Sequence, residues 1–331
     1  MSLSLNANAV DMVNRLIDIA DDLQCDVRII ENGCTVVDAG LNSPGCEEAG
    51  RLIAEACMGG LGVVRSSHTC LAGMRFPAVV VGVNRPSTAT LGSQMASWQL
   101  KIGGFTAIAS GPARALANVE TDVYSRIEHH EESELGMVAL DTRDTPTATI
   151  TSEIASLCGI SPSNLFCAVV PSASAAGALM NATRVVEFGI RTMSGLGIQP
   201  EQIRAAHGVS VIAPVPNSDS EARSLAAKCV CLGGRTYLSL RTDGTADLAD
   251  LMRAYESDGC RYDGEESEKV RKTSHPILCL RESRPPKPAE LTVTDIHTRT
   301  VFRAGEVNEN GLRNLFTQLS RSNDLKRRRM P

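Results

Sequence analysis

The sequence predicts an α/β protein, because short apolar runs typical of strands alternate with longer amphipathic segments. Leu165–Val170 is a continuous apolar run, as expected for a strand buried on both faces. Asn32 and Gly33 separate two alternating runs, which predicts an antiparallel hairpin among the strands. With 331 residues, the chain is long enough for two domains or for one large domain.

The predicted elements follow one another along the chain, with helices recognised by their 3.6-residue period and strands by their short apolar runs. Gly59 and Gly60 end one helix, and Pro112 begins another. The predicted helices are 9–23, 46–57, 112–119, 149–158, 173–193 and 200–206. The predicted strands are 26–30, 35–38, 78–83, 105–108, 137–141, 165–170, 209–213, 228–232, 290–296 and 300–304.

A proline-rich link at 284–288 separates the last hairpin from the residues before it. We predict an N-terminal α/β domain over 1–162 and a second α/β domain over 163–284. Residues 285–331 are predicted to form a C-terminal hairpin and a helix that packs back on the body, followed by a basic tail.

Composition excludes several classes of protein. The chain is 43% hydrophobic and 21% charged, as expected for a globular protein. It has no apolar run of about 18 residues and no secretory signal, so we expect a cytoplasmic protein without a membrane partner. The net charge of −5 gives no general attraction to nucleic acid, and the basic run Lys326–Arg329 is expected to be solvated.

The eleven cysteines do not predict a metal site or a disulfide framework. No C-x-x-C pair is present, so zinc ligation is not expected. We expect reduced thiols that serve as small core residues. Phosphate-binding glycine loops and the common hydrolase motifs are also missing from the sequence.

Arg184 and Glu187 lie three residues apart in an otherwise apolar run, so a helix places both on one face. A carboxylate held beside a guanidinium is suited to act as a general base. However, Arg191 follows four residues after Glu187, and spacing alone favours a solvated stripe of salt bridges. In that interpretation the opposite stripe faces the core: Ala182, Val185, Val186, Gly189 and Met193.

Two further segments suit an anionic ligand. Ser110, Gly111 and Pro112 open a predicted helix whose free backbone N–H groups attract anions, and Arg114 adds a charge one turn later. A capped helix with an exposed arginine explains the same residues equally well. Gly233-Gly-Arg235 follows a predicted buried strand and offers close backbone approach plus a cation, although a plain turn needs no ligand.

An ordered set of motifs, covering about residues 5 to 240, resembles the methenyltetrahydromethanopterin cyclohydrolase family. No single motif is specific, but their order is. The motifs are Glu31-Asn-Gly33, Asp38-Ala-Gly40, Glu48-Ala-Gly50, Gly59-Gly-Leu-Gly62, Leu91-Gly-Ser-Gln94, Trp98, Ser110-Gly-Pro-Ala-Arg114, Pro171-x-x-Ser174-x-x-Gly177, Arg184-Val-x-Glu187, Ala213-Pro214 and Gly233-Gly-Arg235.

The resemblance implies an α/β fold of two domains, with mixed sheets flanked by helices around a wide cleft, in a homotrimer. It implies reversible hydrolysis of 5,10-methenyltetrahydromethanopterin to the 5-formyl form in one-carbon metabolism, without a metal or prosthetic group. The family's catalytic glutamate and arginine fall on Glu187 and Arg184, which reverses the preference for a solvated stripe. The implied substrate-binding residues are Gln94, Ser110, Gly111, Arg114, Ser174 and Arg235.

The chain departs from the family pattern at two places. Ala227-Lys228 replaces a usual Asn-Asp pair, which affects a pocket wall or an interface, and Ala109 replaces a glycine, which tightens a backbone turn. Two alternatives stay open: a pterin-binding protein without turnover, and a cyclohydrolase that acts on a folate analogue. The pathway, toward methane or toward formaldehyde oxidation, also stays open.

Overall fold

A computed structural model describes residues 3–127, 129–242, 247–257 and 286–327, with side chains described up to residue 320. These residues form twelve strands: β1 (Asp26–Ile29), β2 (Thr35–Asp38), β3 (Gly62–Leu71), β4 (Met74–Asn84), β5 (Trp98–Ile102), β6 (Phe105–Ser110), β7 (Gly136–Asp141), β8 (Leu165–Val169), β9 (Ile203–Val211), β10 (Arg235–Leu240), β11 (Glu290–Asp295) and β12 (Val301–Gly305).

The helices within the described residues are α1 (Leu5–Asp18), α2 (Glu47–Cys57), α3 (Pro86–Ala89), α4 (Ala113–Leu116), α5 (Thr121–Arg126), α6 (Ala148–Cys158), α7 (Ala175–Thr183), α8 (Val185–Gly195), α9 (Asp219–Gly233), α10 (Leu248–Ser257) and α11 (Glu309–Arg327). A π-helical turn at Thr90–Gln94 follows α3 directly, and short 3-10 turns lie at Pro162–Asn164 and Pro200–Gln202.

The first sheet has the strand order β1-β2-β8-β7-β6-β5. Its three central strands, β2, β8 and β7, are parallel, and hairpins add antiparallel strands at both edges. Alternate side chains face opposite layers. Met137 and Ala139 pack with α1 and α2, whereas Val138 and Leu140 pack with α6. In β8, Ala168 packs with α1 and α2 whereas Cys167 packs with α6, so this strand too is buried on both faces, as its continuous apolar run predicts.

The second sheet has the order β12-β11-β10-β9-β4-β3 and is antiparallel except for the β10–β11 pair. Helices α7 and α8 cover one face through a large apolar core. Helices α9 and α11 cover part of the other face, where the rings of Phe76 and Phe316 meet edge to face, 4.8 Å apart. Both sheets are mixed and flanked by helices, which confirms the predicted fold class. The wide cleft stays a prediction.

Helix α2, which packs on the first sheet, also packs on α7, which covers the second sheet. Gly50 of α2 lies so close that a Cβ atom there would sit 2.4 Å from the carbonyl oxygen of Ala176. This close approach explains a glycine in the Glu48-Ala-Gly50 motif. The division at residues 162 and 284 also stays a prediction. Strands β3 and β4 precede residue 162 yet belong to the second sheet, whereas β8 follows it and belongs to the first.

Three predicted elements differ from the structure. Residues 228–232 were expected to be a strand but form the last turns of α9. This helix packs against α7, β9 and α11, so its apolar run hides the helical period. Residues 200–206 were expected to be a helix but form a 3-10 turn followed by β9. The predicted long helix 173–193 is two helices, because Arg184 separates α7 from α8.

Strands β11 and β12 pair antiparallel, and α11 follows them. Within the described residues, α11 contacts α9, so the predicted C-terminal helix packs against the body of the protein. The boundary at residue 284 and the first two residues of the proline-rich link, 284 and 285, lie outside the described residues. The last two residues of the run Lys326–Arg329 also lie outside them.

Candidate active site

Glu187 lies in the first turn of α8 and is completely buried. Arg184 donates from Nε to Oε2 at 2.7 Å and from Nη2 to Oε1 at 3.0 Å. Arg191, one turn later, donates to Oε1 at 3.3 Å. The side chains of Arg184 and Arg191 are 19% and 13% exposed, so these three residues do not form a solvated stripe. The stripe predicted to face the core is buried as expected. In the charged stripe, Glu187 is buried and the two arginines are partly buried.

The two arginines keep Glu187 charged in this buried position. Burial by itself would raise the pKa of Glu187, but the charges and hydrogen bonds of Arg184 and Arg191 outweigh it and hold the pKa below its ordinary value. The guanidinium carbon of Arg184 also lies 4.9 Å from the centre of the Phe188 ring, a cation–π contact that fixes its orientation. The carboxylate is thus ionised and held in one geometry.

A π-helical turn over Thr90–Gln94 packs against α8. Arg114 is fully buried, and its Nη1 donates to the carbonyl oxygen of Ser93 at 3.0 Å. Its Nη2 donates to Glu120 Oε2 at 2.6 Å, and Tyr124 donates to the carbonyl oxygen of Gly92 at 3.2 Å. π-Turns are uncommon and are frequent at functional sites. Here, buried side chains from α4 and α5 hold the turn in place.

Arg114 also feels the charge of Glu187. Burial alone would lower the pKa of Arg114, but the nearby Tyr124, Glu120 and Glu187 raise it. Arg114 therefore connects the π-turn electrostatically with the carboxylate of α8. The side chain of Arg114 has no exposed surface.

Gln94 ends the π-turn and reaches the junction between α7 and α8. Its Nε2 donates to Thr183 Oγ1 at 3.0 Å, and Thr183 directly precedes Arg184. Both residues are buried. The turn thus places an amide side chain beside the segment that carries Arg184 and Glu187.

Comparison with known proteins identifies the family of this chain. The profile of the Cyclohydrolase (MCH) family matches residues 4–316. The chain belongs to this cyclohydrolase family. A methenyltetrahydromethanopterin cyclohydrolase of Methanothermobacter marburgensis is 34% identical over 95% of this chain and 99% of its own length. The proteins of the same name from Methanocaldococcus jannaschii and Methanosarcina barkeri are 32% and 30% identical, each over 92% of this chain and 96% and 95% of their own lengths. The resemblance inferred from the ordered motifs is confirmed.

Ser110 and Gly111, two residues of the cyclohydrolase motifs, lie next to the π-turn. The N–H of Gly111 donates to the carbonyl oxygen of Ser93 at 3.0 Å, so this backbone donor is already engaged. The hydroxyl of Ser110 lies 3.7 Å from the sulfur of Cys57, whose pKa burial raises to about 12. The helix that follows is only four residues long, too short for the predicted anion site at its start.

Ser174 and Arg235 lie away from Glu187. Ser174 caps α7, where its hydroxyl accepts from Gly177 N–H at 3.0 Å and donates to the carbonyl oxygen of Pro171 at 2.7 Å. The nine residues of α7 lie between Ser174 and Arg184, which are therefore about 15 Å apart along the helix. Arg235 begins β10 after a helix, not after the predicted strand.

The neighbour of Arg235 shows which face of the sheet it occupies. Thr236 donates to the carbonyl oxygen of Val185 at 3.0 Å and packs against Gly189, so it faces α8. Successive residues of a strand point to opposite faces, which puts Arg235 on the face away from α8. Six residues were predicted to bind substrate. The structure gathers Gln94, Ser110, Gly111 and Arg114 around the π-turn and does not bring Ser174 or Arg235 to it.

Sequence reasoning gave no functional role to two residues of this site, Arg191 and Thr183. Arg191 was visible in the spacing but was interpreted as part of a solvated stripe. Thr183 carried no signal, because a threonine at the end of an apolar helix is commonplace. Its hydrogen-bond partner, Gln94, lies 89 residues earlier in the chain.

The departures from the family pattern lie outside this group. Lys228 is exposed on α9, and Ala227 beside it is buried. Ala109 is buried inside β6, opposite Trp98 and Leu140, so it lies in a strand and not in the predicted turn. Among the residues that the structure describes, no three His, Cys, Asp or Glu side chains are grouped as metal ligands. In the same residues, no helix is both long and apolar enough to cross a membrane.

Proposed function

We propose that this chain hydrolyses 5,10-methenyltetrahydromethanopterin to the 5-formyl form, and catalyses the reverse reaction, without a metal or prosthetic group. Its membership of the cyclohydrolase family and the names of relatives that it matches along nearly their whole lengths support this. The observation that carries the mechanism is the buried carboxylate of Glu187, held between two arginines.

The substrate carries a delocalised cation over two nitrogens and the carbon between them. A water must attack this carbon while it loses a proton. An ionised carboxylate stabilises the cation by its charge and accepts the proton as a new carbon–oxygen bond forms. Glu187 is the proposed acceptor, and the same proton is then available to the nitrogen that leaves.

Arg184 is proposed to orient the carboxylate during this step. Its two hydrogen bonds fix the plane of Glu187, while Arg191 donates to Oε1. Because the arginines also lower the pKa of Glu187, the carboxylate is a weak base by itself. Two other factors must then favour proton transfer to Glu187. The positive charge of the substrate is lost as the water attacks, and other water is excluded from the site. The substrate-binding roles predicted for Gln94, Ser110, Gly111, Arg114, Ser174 and Arg235 remain proposals.

The cleft that takes the substrate is proposed to lie along the accessible side of α7 and α8. Asn181, Arg184 and Arg191 are each partly accessible and follow one another at helical spacing. Glu187 lies beneath this line. We propose that the cationic ring system of the substrate binds over this line.

The activity is tested by mixing the protein with the methenyl substrate and following the loss of methenyl absorbance against a buffer control. We expect catalytic loss with the methanopterin substrate and slower loss with the folate analogue. Faster hydrolysis of the folate analogue would assign a different substrate. Binding without turnover of either compound would identify a pterin-binding protein instead.

We also propose a cytoplasmic homotrimer, with the open face of the second sheet as the contact between copies. Val63, Gly82, His207 and Tyr237 stand opposite one another on four adjacent strands. Val63 and Tyr237 are 52% and 38% exposed, so this row presents apolar surface. Light scattering after size-exclusion chromatography tests the trimer. If a Val63→Glu variant stays trimeric, the contact between copies lies on another surface.

A further inference from the structure

A chain of hydrogen bonds orients the side-chain amide of Asn181, in α7. It begins at Asp141, the last residue of β7, whose carboxylate accepts from the backbone N–H of Ser172 at 2.8 Å and from the Ser172 hydroxyl at 2.7 Å. Arg223 of α9 donates to the same carboxylate. The single hydroxyl hydrogen of Ser172 is thus engaged, and its oxygen accepts from Nδ2 of Asn181 at 3.2 Å.

The direction of these bonds fixes which end of the Asn181 amide faces Ser172. If the amide turned over, its oxygen would meet a hydroxyl oxygen whose hydrogen is already donated to Asp141. Two acceptors would then face each other. Ser172 is only 3% exposed, so bulk water does not compete for its hydroxyl. Nδ2 therefore stays toward Ser172, and Oδ1 points away from it.

The oxygen Oδ1 of Asn181 is open to a ligand. It accepts no hydrogen bond from the residues that the structure describes. Asn181 is partly accessible, and its oxygen is not one of the buried side-chain atoms that lack a partner, so solvent reaches it. The protein therefore presents a hydrogen-bond acceptor of fixed orientation at its surface.

This acceptor lies on the side of α7 and α8 along which the substrate is proposed to bind. Asn181 precedes Arg184 by three residues, so both lie on one helical face. Asn181 and Glu187 are six residues apart, which is about 9 Å at the rise of a helix. The two fused rings of a pterin extend over a comparable length.

We propose that Oδ1 of Asn181 accepts a hydrogen bond from an N–H group of the pyrimidine ring of the substrate. In a reduced pterin this ring carries N–H donors at N3 and at the 2-amino group, whereas its O4 is an acceptor. An acceptor held in one orientation selects the N–H edge. This role rests on the proposed function and adds a recognition contact remote from the reacting carbon. Ser172 is the residue that positions it.

Asn181→Leu removes the acceptor and keeps a side chain of similar size. A contact remote from the reacting carbon is the same before and during the reaction, so its loss raises KM and leaves kcat unchanged. We expect KM to rise about 5- to 10-fold, the effect of one lost hydrogen bond. An unchanged KM, or a fall in kcat at unchanged KM, would overturn the inference.

Binding of tetrahydromethanopterin gives a reading without turnover, because this compound lacks the methenyl carbon and cannot be hydrolysed. Titration calorimetry should show its Kd raised in Asn181→Leu by the same factor as KM. Equal Kd values in wild type and Asn181→Leu would contradict a contact with the ring.

Asn181→Asp distinguishes an acceptor from a donor at this position. A carboxylate offers acceptor oxygens at both ends, so the contact with the ring survives whichever way the group turns. The Kd of tetrahydromethanopterin should therefore stay within about twofold of wild type, since a neutral hydrogen-bond contact is kept. A folded Asn181→Asp variant that binds as weakly as Asn181→Leu would mean that the amide N–H donates to the substrate, which reverses the proposal.

Ser172→Ala tests the orientation of the amide. The amide is then free to turn, so the Kd of tetrahydromethanopterin should rise, but by less than in Asn181→Leu. Because Ser172 acts through Asn181, adding Ser172→Ala to Asn181→Leu should change the Kd no further. Additive losses in the double variant would show that the two residues act separately. Unfolding midpoints of all variants show whether any loss reflects folding.

Failure of this inference is distinguishable from failure of the proposed function. If wild type neither binds tetrahydromethanopterin nor hydrolyses the methenyl substrate, the proposed function fails. If wild type does both and Asn181→Leu does both equally well, only the role of Asn181 fails.

Discussion

The guanidinium of Arg184 spans both oxygens of the Glu187 carboxylate, with Nε 2.7 Å from Oε2 and Nη2 3.0 Å from Oε1. A planar fork of this kind fixes the plane of a carboxylate as well as its charge. The pair lies at the junction of α7 and α8, where Arg184 is the one residue between the two helices. Orientation and charge of Glu187 are therefore set by the same side chain.

The fork predicts that Arg184→Lys is not a conservative change. Lysine keeps the charge but makes a single contact, so Glu187 loses its fixed orientation. We expect kcat to fall about 10- to 100-fold, by the size of typical effects of misplaced groups. Arg191→Lys is the control and should lose less, because Arg191 contacts one oxygen at 3.3 Å. Equal losses in both variants would show that charge alone matters.

The lowered pKa of Glu187 predicts activity on the acid side of neutrality. Because this pKa lies below the ordinary value of 4.5, the carboxylate stays ionised as the pH falls through 4.5. Activity that depends on it should be lost only at lower pH. Arg191→Gln removes one of the two cations that lower the pKa, so its acid limb should lie at higher pH. Profiles of kcat against pH measure both limbs, and identical limbs would contradict this electrostatic account.

Glu131 predicts a second pH dependence, this time of stability. It accepts from the N–H groups of Leu5 and Asn6 at the start of α1, at 3.2 and 3.0 Å. Burial would raise the pKa of Glu131, but hydrogen bonds from His129, Asn6 and Leu5 lower it. A depressed pKa gives stability that is present above the pKa of the unfolded chain and is lost as the pH falls through the folded value.

Glu131→Gln should therefore destabilise the protein at pH 7 by about 1–3 kcal/mol and flatten the fall in stability toward acid pH. Denaturant unfolding at several pH values between neutral and acid measures both effects. If wild type and Glu131→Gln lose stability in parallel as the pH falls, Glu131 is not the group responsible.

The close approach of α2 and α7 predicts that Gly50→Ala destabilises the protein. The new Cβ would lie 2.4 Å from a backbone atom of Ala176, which cannot move aside as a flexible side chain can. We expect a loss of about 1–3 kcal/mol in the free energy of unfolding, typical of overpacking. Gly195→Ala is the matched control, because a Cβ there meets nothing within 4 Å and should be neutral or stabilising. Equal stability of the two variants would contradict the packing argument.

Much of the first sheet is predictable from local sequence. The Asn32-Gly33 turn and the apolar run at 165–170 are strong short-range signals, and the structure forms both elements. By contrast, 228–232 misleads because a helix buried on two sides loses its amphipathic period. The membership of β3 and β4 in the second sheet depends on pairing with β9, more than 100 residues later, and no local pattern encodes it.

The candidate site, like the fold, is only partly predictable from local sequence. Arg184, Glu187 and Arg191 stand within two helical turns, so their mutual contact follows from spacing. Their burial does not, because it depends on packing against the π-turn and the second sheet. The bond between Gln94 and Thr183 joins segments 89 residues apart. Only the ordered family motifs pointed to Gln94 before the fold was known.

The turnover of Glu187→Gln tests the central claim most directly. Glutamine keeps the size of the side chain and one acceptor oxygen, so the variant should fold, as circular dichroism and its unfolding midpoint will show. It lacks the charge and the basic oxygen, so kcat for hydrolysis of the methenyl substrate should fall about 100- to 10,000-fold, the usual contribution of a general base. A folded Glu187→Gln variant with wild-type kcat would contradict the account.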